Sequence, residues 1–412
     1  MAADDLLLPE GSLLLHIGPF KTGTTALQSS IRNALPDLKE HGVVQIGEVR
    51  RNVRRAVLAI TENRGLSGDA PPSAALWRNM VADIHRVDAR RSILSSEFLC
   101  DASDEAAKEV VDSIGRDRLH VVVTLRPLSK ILPSAWQQYV RNRLTTPYDE
   151  WLDAMFNRAP YRQPTPSFWK RHRHGKLVTR WANLVGPDHV KVVIVDERER
   201  DGFLRAFESM LGVPQGLLVP AAAGANRSLT AAEIEMIRQI NLEFAGNDWP
   251  DEIYHKFIRN GVIWRMLRRV PAEDEPRIVT PMWAQKRAAE AAAQSVRRIN
   301  RLGVQIIGDA ETLQKIDPVP ANAPHHAELP VAAAVGSVIA ILYRTGLVVS
   351  PEDAAADEEE EEATIASLTA PMAKAEKRLR RRARRLRVWY ERRRALRNAS
   401  RQPGGQVAPP SE

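Results

Sequence analysis

The segment LLLHIGPFKTGTTALQSSI, residues 13–31, runs from a short apolar stretch through a polar loop into a sequence with helical periodicity. The apolar stretch predicts a buried strand. Gly18 and Gly23 let the loop turn tightly and bring its backbone close to a ligand. Lys21 adds a mobile positive charge, and three threonines add hydroxyl donors. We therefore predict an anion-binding loop, with the first backbone amides of the following helix pointing at the anion.

The spacing of this loop differs from that of the usual ATP- and GTP-binding loop. That pattern, G-x-x-x-x-G-K-[ST], places its lysine directly after the second glycine. Here Lys21 precedes Gly23. The segment resembles the 5′-phosphosulfate loop of sulfotransferases that use 3′-phosphoadenylyl sulfate (PAPS), whose bacterial members often carry HIG…KTGTT after the first strand. The resemblance implies that Lys21 takes part in catalysis and that the loop contributes a set of cofactor-binding residues: Lys21, Thr22, Gly23, Thr24 and Thr25.

A second stretch, VVVTLRPLSKILPSAWQQYVR at 121–141, also runs from a strand through a turn into a helix. It resembles the 3′-phosphate element of the same family, in which an arginine at the strand end and a serine eight residues later hold the phosphate. These positions are Arg126 and Ser134. Arginine forms a planar fork to phosphate, and a hydroxyl on a helix adds a donor.

The likeness covers roughly the first three hundred residues. It includes ANRSLTAAEIEMIRQIN at 225–241, which resembles an Asn-x-Ser segment of bacterial members and implies that Arg227 also binds the cofactor. One position departs from the pattern. Cytosolic eukaryotic members carry a tryptophan after the threonine pair that stacks on adenine, whereas this chain has Ala26. The sequence does not identify the residue that would recognise adenine.

Sulfonate transfer to a hydroxyl needs a general base and neutralisation of the leaving phosphate. The family places histidine or glutamate at the end of the strand that precedes the 3′-phosphate strand. In RSILSSEFLCD that position is Glu97, our candidate general base, and a capping or ion-paired carboxylate is the alternative. His16 is the second catalytic candidate, and a core histidine bonded to its neighbours is the alternative. No His/Cys cluster has metal-ligand spacing, so no metal is expected.

Short strand-like segments alternate with helical segments up to Asp196, and the sequence beyond is mainly helical. This alternation predicts an α/β fold: a three-layer sandwich with a central parallel sheet and a helical C-terminal part, the P-loop NTPase-like fold of sulfotransferases. We predict a sulfotransferase domain over 1–316, a linker and apolar helix over 317–350, and an acidic then basic tail over 351–412. The tail is expected to be disordered or a single amphipathic helix. The predicted strands are SLLLHIG, VVQIG, RSILSS, LHVVVTL and VKVVIVD.

The formal charge of +8 is unevenly distributed along the 412 residues. Residues 374–401 carry a net charge of +12, and the remainder carries −4. The basic segment also has an apolar stripe at helical spacing. It suits an anionic membrane surface or non-specific contact with nucleic acid, or it pairs with the acidic run at 357–362.

Other features bear on the compartment. The single cysteine, Cys100, excludes an intramolecular disulfide and fits a reducing compartment. The N-terminus does not resemble a secretory signal, and the longest apolar run, 330–342, is short of the roughly 20 residues of a spanning helix. We expect a cytoplasmic protein, with peripheral contact on the inner membrane face through 374–401 as an option.

Two function classes follow from these patterns. The first is a sulfotransferase that moves the sulfonate of PAPS to a hydroxyl of a carbohydrate, glycolipid or small metabolite. The second is a non-catalytic protein on a nucleotide-binding fold that tethers to an anionic membrane or nucleic acid through its basic tail. Specific recognition of nucleic acid is not expected. A small-molecule kinase ranks third, because the lysine position argues against it.

Overall fold

The computed structural model describes residues 3–47, 50–62, 72–196, 198, 202–220, 227–319 and 328–345. The chain divides into two units, Met1–Arg344 and Thr345–Glu412. The fold reported below belongs to the first unit. The predicted tail, 351–412, lies outside the described residues.

A six-stranded parallel sheet forms the centre of this unit, in the order β2-β3-β1-β4-β5-β6. β1 pairs with β3 on one side and β4 on the other, so the direction in which successive strands are added reverses at β1. Open parallel sheets bind ligands at the carboxyl ends of the strands beside such a reversal. The strands are β1 Ser12–Ile17, β2 Val43–Gln45, β3 Arg91–Ser95, β4 Leu119–Leu125, β5 Val190–Ile194 and β6 Gln305–Ile307.

Helices connect the strands and make up most of the chain after β5. They are α1 Thr24–Asn33, α2 Leu35–Glu40, α3 Arg50–Ile60, α4 Ala75–Arg86, α5 Asp104–Ile114, α6 Leu128–Val140, α7 Tyr148–Phe156, α8 Ser167–His172, α9 His174–Val185, α10 Gly202–Leu211, α11 Ala231–Gly246, α12 Asp251–Ile253, α13 Trp264–Arg268, α14 Met282–Asn300 and α15 Val331–Thr345. A π-helical stretch, Tyr254–Ile263, joins α12 to α13. Short 3₁₀ segments cover Ala3–Leu6, Glu97–Asp101, Arg116–Arg118, Pro187–His189 and Ala310–Gln314.

The sheet has helices on both faces, as the alternation of side chains along β1 indicates. Leu13 and Leu15 pack into a core with residues of α3, α4, α5 and α9. Leu14 points to the opposite face and packs with residues of α1 and α10. Successive side chains of a strand point to opposite faces, so one apolar strand contributes to two cores. The predicted three-layer α/β sandwich with a central parallel sheet is confirmed.

A third apolar core lies among helices alone. It joins α6, α7 and α8 to α11, the π-helical stretch and α14, with Trp151 and Phe168 fully buried within it. This core forms the predicted helical part of the fold, and α6 connects it to the carboxyl end of β4. None of the helices in the described part of the chain combines the length and the hydropathy needed to cross a membrane.

The sequence predicts five of the six strands. It does not predict β6, an edge strand of three residues that pairs with β5. The part predicted as mainly helical contains the π-helical stretch, which is an irregularity that periodicity of the sequence does not specify.

Candidate functional site

A cavity of about 1100 Å³ lies where the carboxyl ends of β1, β3 and β4 meet. Its walls come from the loop after β1, the residues after β3, helix α6 and the chain before α11. The structure brings most of the sequence-predicted site residues to this cavity. Those that line it are Lys21, Gly23, Thr24, Thr25, Glu97, Arg126, Ser134 and Arg227. Thr22 and His16 lie behind the cavity wall, fully buried.

The loop after β1 delivers an open helix start to the cavity. Gly23 is the residue before α1 and has φ +89°, a left-handed conformation that glycine adopts without strain. No side chain caps this helix start. Helices leave their first amides without intrahelical partners, and these amides carry the positive end of the helix dipole. The start of α1 is therefore suited to an anion.

Lys21 also has a left-handed backbone, with φ +74°. This conformation is strained for a residue with a side chain, and such strain is concentrated at functional sites. Burial lowers the pKa of Lys21 to about 8, and the positive charges of Arg141 and Arg126 add to the effect. The ammonium group is therefore crowded by like charge, which an anion in the cavity would relieve.

A chain of buried hydrogen bonds supports the loop from below. The Thr22 hydroxyl donates to the Pro19 carbonyl at 2.7 Å and lies 3.0 Å from the Thr124 hydroxyl on β4. The Thr124 hydroxyl also lies 3.1 Å from Nε2 of His16, and Nδ1 of His16 lies 2.8 Å from the Ser95 hydroxyl. The network thus ties the loop to all three central strands.

His16 is fully engaged in this network. Burial lowers its pKa to about 3, so the imidazole stays neutral over the physiological pH range. Its ring packs edge-on against Phe207 of α10, 5.2 Å between centroids. These contacts are those of a positioning residue that holds the loop and the ends of β3 and β4 together.

Gly18 is required where β1 enters the loop, because its neighbours leave no room for a side chain. A Cβ atom there would lie 2.1 Å from the Thr24 hydroxyl and 2.8 Å from the Thr124 hydroxyl. The Thr24 hydroxyl donates to the Gly18 carbonyl at 3.3 Å. The close approach fixes the start of α1 against β4.

The turn after β4 brings Arg126 to the loop. Its Nη1 donates to the Lys21 carbonyl at 3.1 Å, so the two predicted phosphate elements are in direct contact. Ser134 lies on α6 and donates to the Ile131 carbonyl at 3.0 Å, with its hydroxyl at the cavity wall. Arg141, which follows α6, lines the same wall; burial and then the charge of Arg259 lower its pKa.

Glu97 begins the 3₁₀ segment after β3 and is half-buried at the cavity wall. Nε2 of Gln28, on α1, donates to Glu97 Oε2 at 3.3 Å and to the Ser95 carbonyl at 3.2 Å. Oε1 of Gln28 is buried without a hydrogen-bond partner among the described residues. Gln28 therefore orients the Glu97 carboxylate at the cavity wall, where a hydroxyl group could donate to it.

Aromatic and cationic side chains form the adjacent wall. The guanidinium of Arg171 stacks over Phe20, 4.1 Å from the ring centroid, and binds Asp101 through both carboxylate oxygens. Phe20 contacts Phe98 edge-on at 5.3 Å. This wall offers stacking surface next to the phosphate loop.

Arg227 occupies a different position from the other predicted cations. Both terminal nitrogens donate to the buried carboxylate of Glu233, each at 2.9 Å, and Nη2 also contacts the Met266 carbonyl. Glu233 forms the capping box at the start of α11. Arg227 reaches the cavity with its charge already balanced, so it contributes shape and donors more than net charge.

The cavity is strongly electropositive. Within the described residues, one carboxylate, Glu97, lines it against eight cations: Lys21, Arg54, Arg126, Lys130, Arg141, Arg171, Arg227 and Arg277. Within the described residues, Lys130 pairs with Asp317, Arg171 with Asp101, and Arg227 with Glu233. The described part of the chain contains no group of three His, Cys, Asp or Glu residues that could hold a metal ion.

Sequence reasoning missed several residues of this site. Thr124 had a detectable signal, since it is the one polar residue in the strand LHVVVTL apart from His120, and it precedes the strand end by one position. Gln28 and Arg171 had none, because a glutamine on a helix and an arginine in a basic run are ordinary surface residues. Their roles depend on packing between elements far apart in sequence.

Comparisons with known proteins give little direct guidance. Neither the models of protein families nor the curated proteins gave a match. Among solved structures, the chain is similar to the crystal structure of a sulfotransferase from Alicyclobacillus acidocaldarius, with 17% sequence identity and a TM-score of 0.37. The similarity covers 59% of this chain and 98% of that one. Likeness of this degree leaves function to be argued from the site itself.

Proposed function

We propose that the protein is a sulfotransferase that moves the sulfonate of PAPS to a hydroxyl of an acceptor: a carbohydrate, a glycolipid or a small metabolite. The charge of the cavity carries the proposal, since among the described residues eight cations and one carboxylate line a wall that includes an open helix start. PAPS has two separate anionic groups, the 5′-phosphosulfate and the 3′-phosphate. The cavity receives two strand–loop–helix junctions, one after β1 and one after β4, which suit one group each.

The fit of the residues to PAPS is best at these junctions. In this proposal the amides at the start of α1, with Lys21, bind the 5′-phosphosulfate. Arg126 and Ser134 bind the 3′-phosphate through a guanidinium fork and a hydroxyl. The contact between Arg126 and the Lys21 carbonyl then couples the two phosphate sites. Arg141 adds a third cation near Lys21.

PAPS supplies an activated sulfonate when bound. The role of Lys21 in the transfer is to place a proton-bearing cation beside the leaving phosphate, where negative charge develops. Its lowered pKa and strained backbone are costs in the free protein. Both support a catalytic assignment, because strained backbones and perturbed pKa values are concentrated at functional sites.

Glu97 is the general base in this proposal. It accepts from Gln28, which orients the carboxylate, and it lines the cavity where an acceptor hydroxyl can approach. His16 is assigned a positioning role, since both ring nitrogens are hydrogen-bonded behind the cavity wall. In-line transfer requires one general base, placed on the side from which the acceptor hydroxyl attacks the donor.

The donor set favours a nucleotide that binds without Mg²⁺. Mg²⁺–nucleotide sites hold the metal through one or two carboxylates and the substrate phosphates. Here the cations outnumber the single carboxylate of the described cavity wall, so protein charge alone can neutralise the phosphates. This argues against a kinase-type reaction.

Calorimetry in EDTA and, in parallel, in Mg²⁺ tests the proposal directly. We expect 3′-phosphoadenosine 5′-phosphate, the product nucleotide, to bind more tightly than ATP or GTP. Mg²⁺-dependent binding of ATP that exceeded binding of this nucleotide would overturn the sulfotransferase proposal. In a second experiment, the protein is incubated with PAPS and acceptor extracts, and mass spectrometry looks for sulfonated products. Tight binding of the product nucleotide without any sulfonated product would favour the non-catalytic alternative.

The Arg126→Ala variant tests the 3′-phosphate assignment. Loss of a charge-assisted pair should weaken binding of the product nucleotide by about 1.5–3 kcal/mol. The affinity of the variant for adenosine 5′-phosphate, which lacks the 3′-phosphate, should fall much less. Arg86→Ala is a matched control, since Arg86 is exposed on α4 and pairs only with Asp83 among the described residues. Equal losses for both nucleotides would remove Arg126 from the 3′-phosphate site.

A further inference from the structure

A second cavity of about 600 Å³ lies between α8, α9 and α14. It shares no lining residue with the first cavity. Helix α8 borders both, giving Arg171 to the first and His172 to the second. A volume of this size is typical of sites that bind small molecules.

The second cavity is also electropositive. Within the described chain its walls contain one carboxylate, Glu290, which is paired with Arg287 at 3.2 Å. The cations that line it are Arg173, Lys176, Arg287, Arg297, Arg298 and Arg301. Apart from Arg287, none of these six has an ion-pair partner within the described residues. Five of the six are arginines, which bind oxyanions through two parallel hydrogen bonds.

Helix electrostatics does not account for this cluster. The negative end of the α14 dipole favours Arg297 and Arg298, which lie in its last turn. Arg173 and Lys176 lie at the start of α9, however, where the dipole disfavours positive charge. Arg297 and Arg301 also repel each other at i,i+4 spacing. All four side chains are exposed, so solvent screens these terms and each is small, but an anionic ligand would offset them together.

Aromatic side chains complete the cavity. Tyr161 is 37% exposed at its edge, and Phe156 and Trp169 contribute ring surface in edge-to-face contact, 5.5 Å between centroids. Nε1 of Trp169 donates to the Met155 carbonyl at 2.8 Å, so its remaining surface is apolar. Nδ1 of His172 is buried without a hydrogen-bond partner in the described chain.

We propose that this second cavity binds a sugar that carries anionic groups. Guanidinium forks suit its sulfate, carboxylate or phosphate groups, and aromatic rings suit the apolar face of a sugar ring. Inorganic anions would use the cations alone and leave the aromatic surface unfilled. The proposal does not depend on sulfonate transfer in the first cavity.

Chemical protection of lysines tests where such a sugar binds. Lys176 lines the cavity, whereas Lys170 is exposed on neighbouring α8 and lines neither cavity. The full chain is acetylated briefly with and without a disulfated disaccharide, and peptides are quantified by mass spectrometry. We expect at least threefold slower acetylation of Lys176, with Lys170 unchanged. The unsulfated disaccharide and inorganic sulfate should give no protection.

Variants on α14 provide the second arm. In the double variant Arg297→Gln/Arg301→Gln, the disaccharide concentration that gives half-maximal protection of Lys176 should rise at least tenfold. Lys286→Gln, exposed on the same helix outside the cavity, should leave it unchanged. Circular dichroism checks that each variant folds.

Three results would overturn the proposal. Equal protection of Lys176, Lys170 and the tail lysines Lys374 and Lys377 would mean diffuse attraction to positive charge. Stronger protection by ATP than by the disaccharide would mean a nucleotide site. Unchanged protection in the Arg297→Gln/Arg301→Gln variant would remove the site from this cavity.

Discussion

Lys21 carries the strongest physical signature of function at the scale of single residues. Its backbone is strained, its ammonium is buried, and Arg126 and Arg141 repel it. Each of these features destabilises the free protein. The burial and the repulsion are offset when an anion occupies the cavity, because the anion neutralises the charge that burial and like-charged neighbours disfavour.

This environment predicts a pH dependence of nucleotide binding. The pKa of Lys21 is about 8 in the free protein, and a bound anion favours the ammonium form and raises that pKa. Between the two pKa values binding must take up one proton, so affinity for the product nucleotide should be flat from pH 7 to 8 and then fall. The slope should approach about tenfold per pH unit. Calorimetry from pH 7 to 9.5 measures it, and buffers of different ionisation enthalpy report the proton taken up.

The control for this prediction is Lys21→Met. It should bind the nucleotide more weakly and show no fall in affinity above pH 8. A wild-type affinity that stayed constant to pH 9.5 would contradict a titrating Lys21 at the phosphate site.

Substitutions of Glu97 and of His16 are expected to affect catalysis differently. Glu97→Gln keeps the size of the side chain but cannot accept a proton, so turnover should fall by about 10²–10⁴-fold while nucleotide affinity is retained. Single-turnover kinetics and calorimetry measure the two quantities separately.

His16→Asn is the comparison variant for Glu97→Gln. A positioning residue should lose stability and nucleotide affinity together, since the network to Ser95 and Thr124 is broken. Normal turnover in Glu97→Gln, with turnover abolished in a folded His16→Asn protein, would transfer the role of base to His16.

At the scale of elements, the β1–loop–α1 unit depends on close approach at Gly18. A methyl group there would overlap the Thr24 and Thr124 hydroxyls. We expect Gly18→Ala to lower the free energy of unfolding by about 1–3 kcal/mol, as overpacked sites do. It should also weaken nucleotide binding, because α1 would shift from the cavity.

Gly246→Ala is the matched control for Gly18→Ala. A Cβ atom at Gly246 has open space around it, and its backbone is helical. This variant should be stabilised by about 0.4–1 kcal/mol, with unchanged binding. Urea unfolding gives both stabilities. Equal stabilities of the Gly18→Ala variant and the wild type would contradict the packing argument.

The elements also explain which parts of the fold the sequence predicts. Central strands such as β1 and β4 are continuous apolar runs, and this pattern follows directly from burial on both faces. β6 has only three residues, each half-buried at the sheet edge. Its segment GVQIIG, 303–308, does resemble GVVQIG at 42–47, which forms the opposite edge strand β2. Comparison of the two could have indicated β6.

The site residues also fall into two groups, those that the sequence predicts and those that it does not. Residues in the strand-to-helix loops, such as Lys21 and Arg126, are placed by local sequence, and the sequence predicts them at the cavity. The positions of Gln28, Arg171 and Thr124 depend on how α1, α8 and β4 pack, which no local pattern specifies. Thr22 illustrates the limit, because its motif predicts a ligand contact whereas its hydroxyl is buried against Thr124.

At the scale of the whole molecule, charge is sorted by location. Both cavities of the described chain have cation-rich walls, and residues 1–350 as a whole carry 45 basic and 40 acidic side chains. Among the described residues, those acidic side chains contribute only Glu97 and Glu290 to the two cavity walls. Such sorting directs anionic ligands to the cavities by electrostatic steering.

The basic segment 374–401 is the largest concentration of charge in the sequence, with a net charge of +12. We propose that it binds anionic membrane surfaces, since each basic residue near such a surface contributes about 1 kcal/mol. The full chain should sediment with vesicles that contain anionic lipid and not with neutral vesicles. Moderate salt should abolish the binding, because the Debye length is about 8 Å at physiological ionic strength.

This membrane binding should be separable from nucleotide binding. The sequence of 351–362 is too acidic and too poor in apolar residues to belong to a core. Removal of 351–412, or replacement of Arg380, Arg381, Arg384 and Arg385 by glutamine, should therefore abolish sedimentation and leave the calorimetric affinity for the product nucleotide unchanged. Equal sedimentation of the full and shortened chains would exclude the tail as the membrane contact. Tail-dependent binding to DNA but not to vesicles would instead favour the tethering function, because the same charge would then act on nucleic acid.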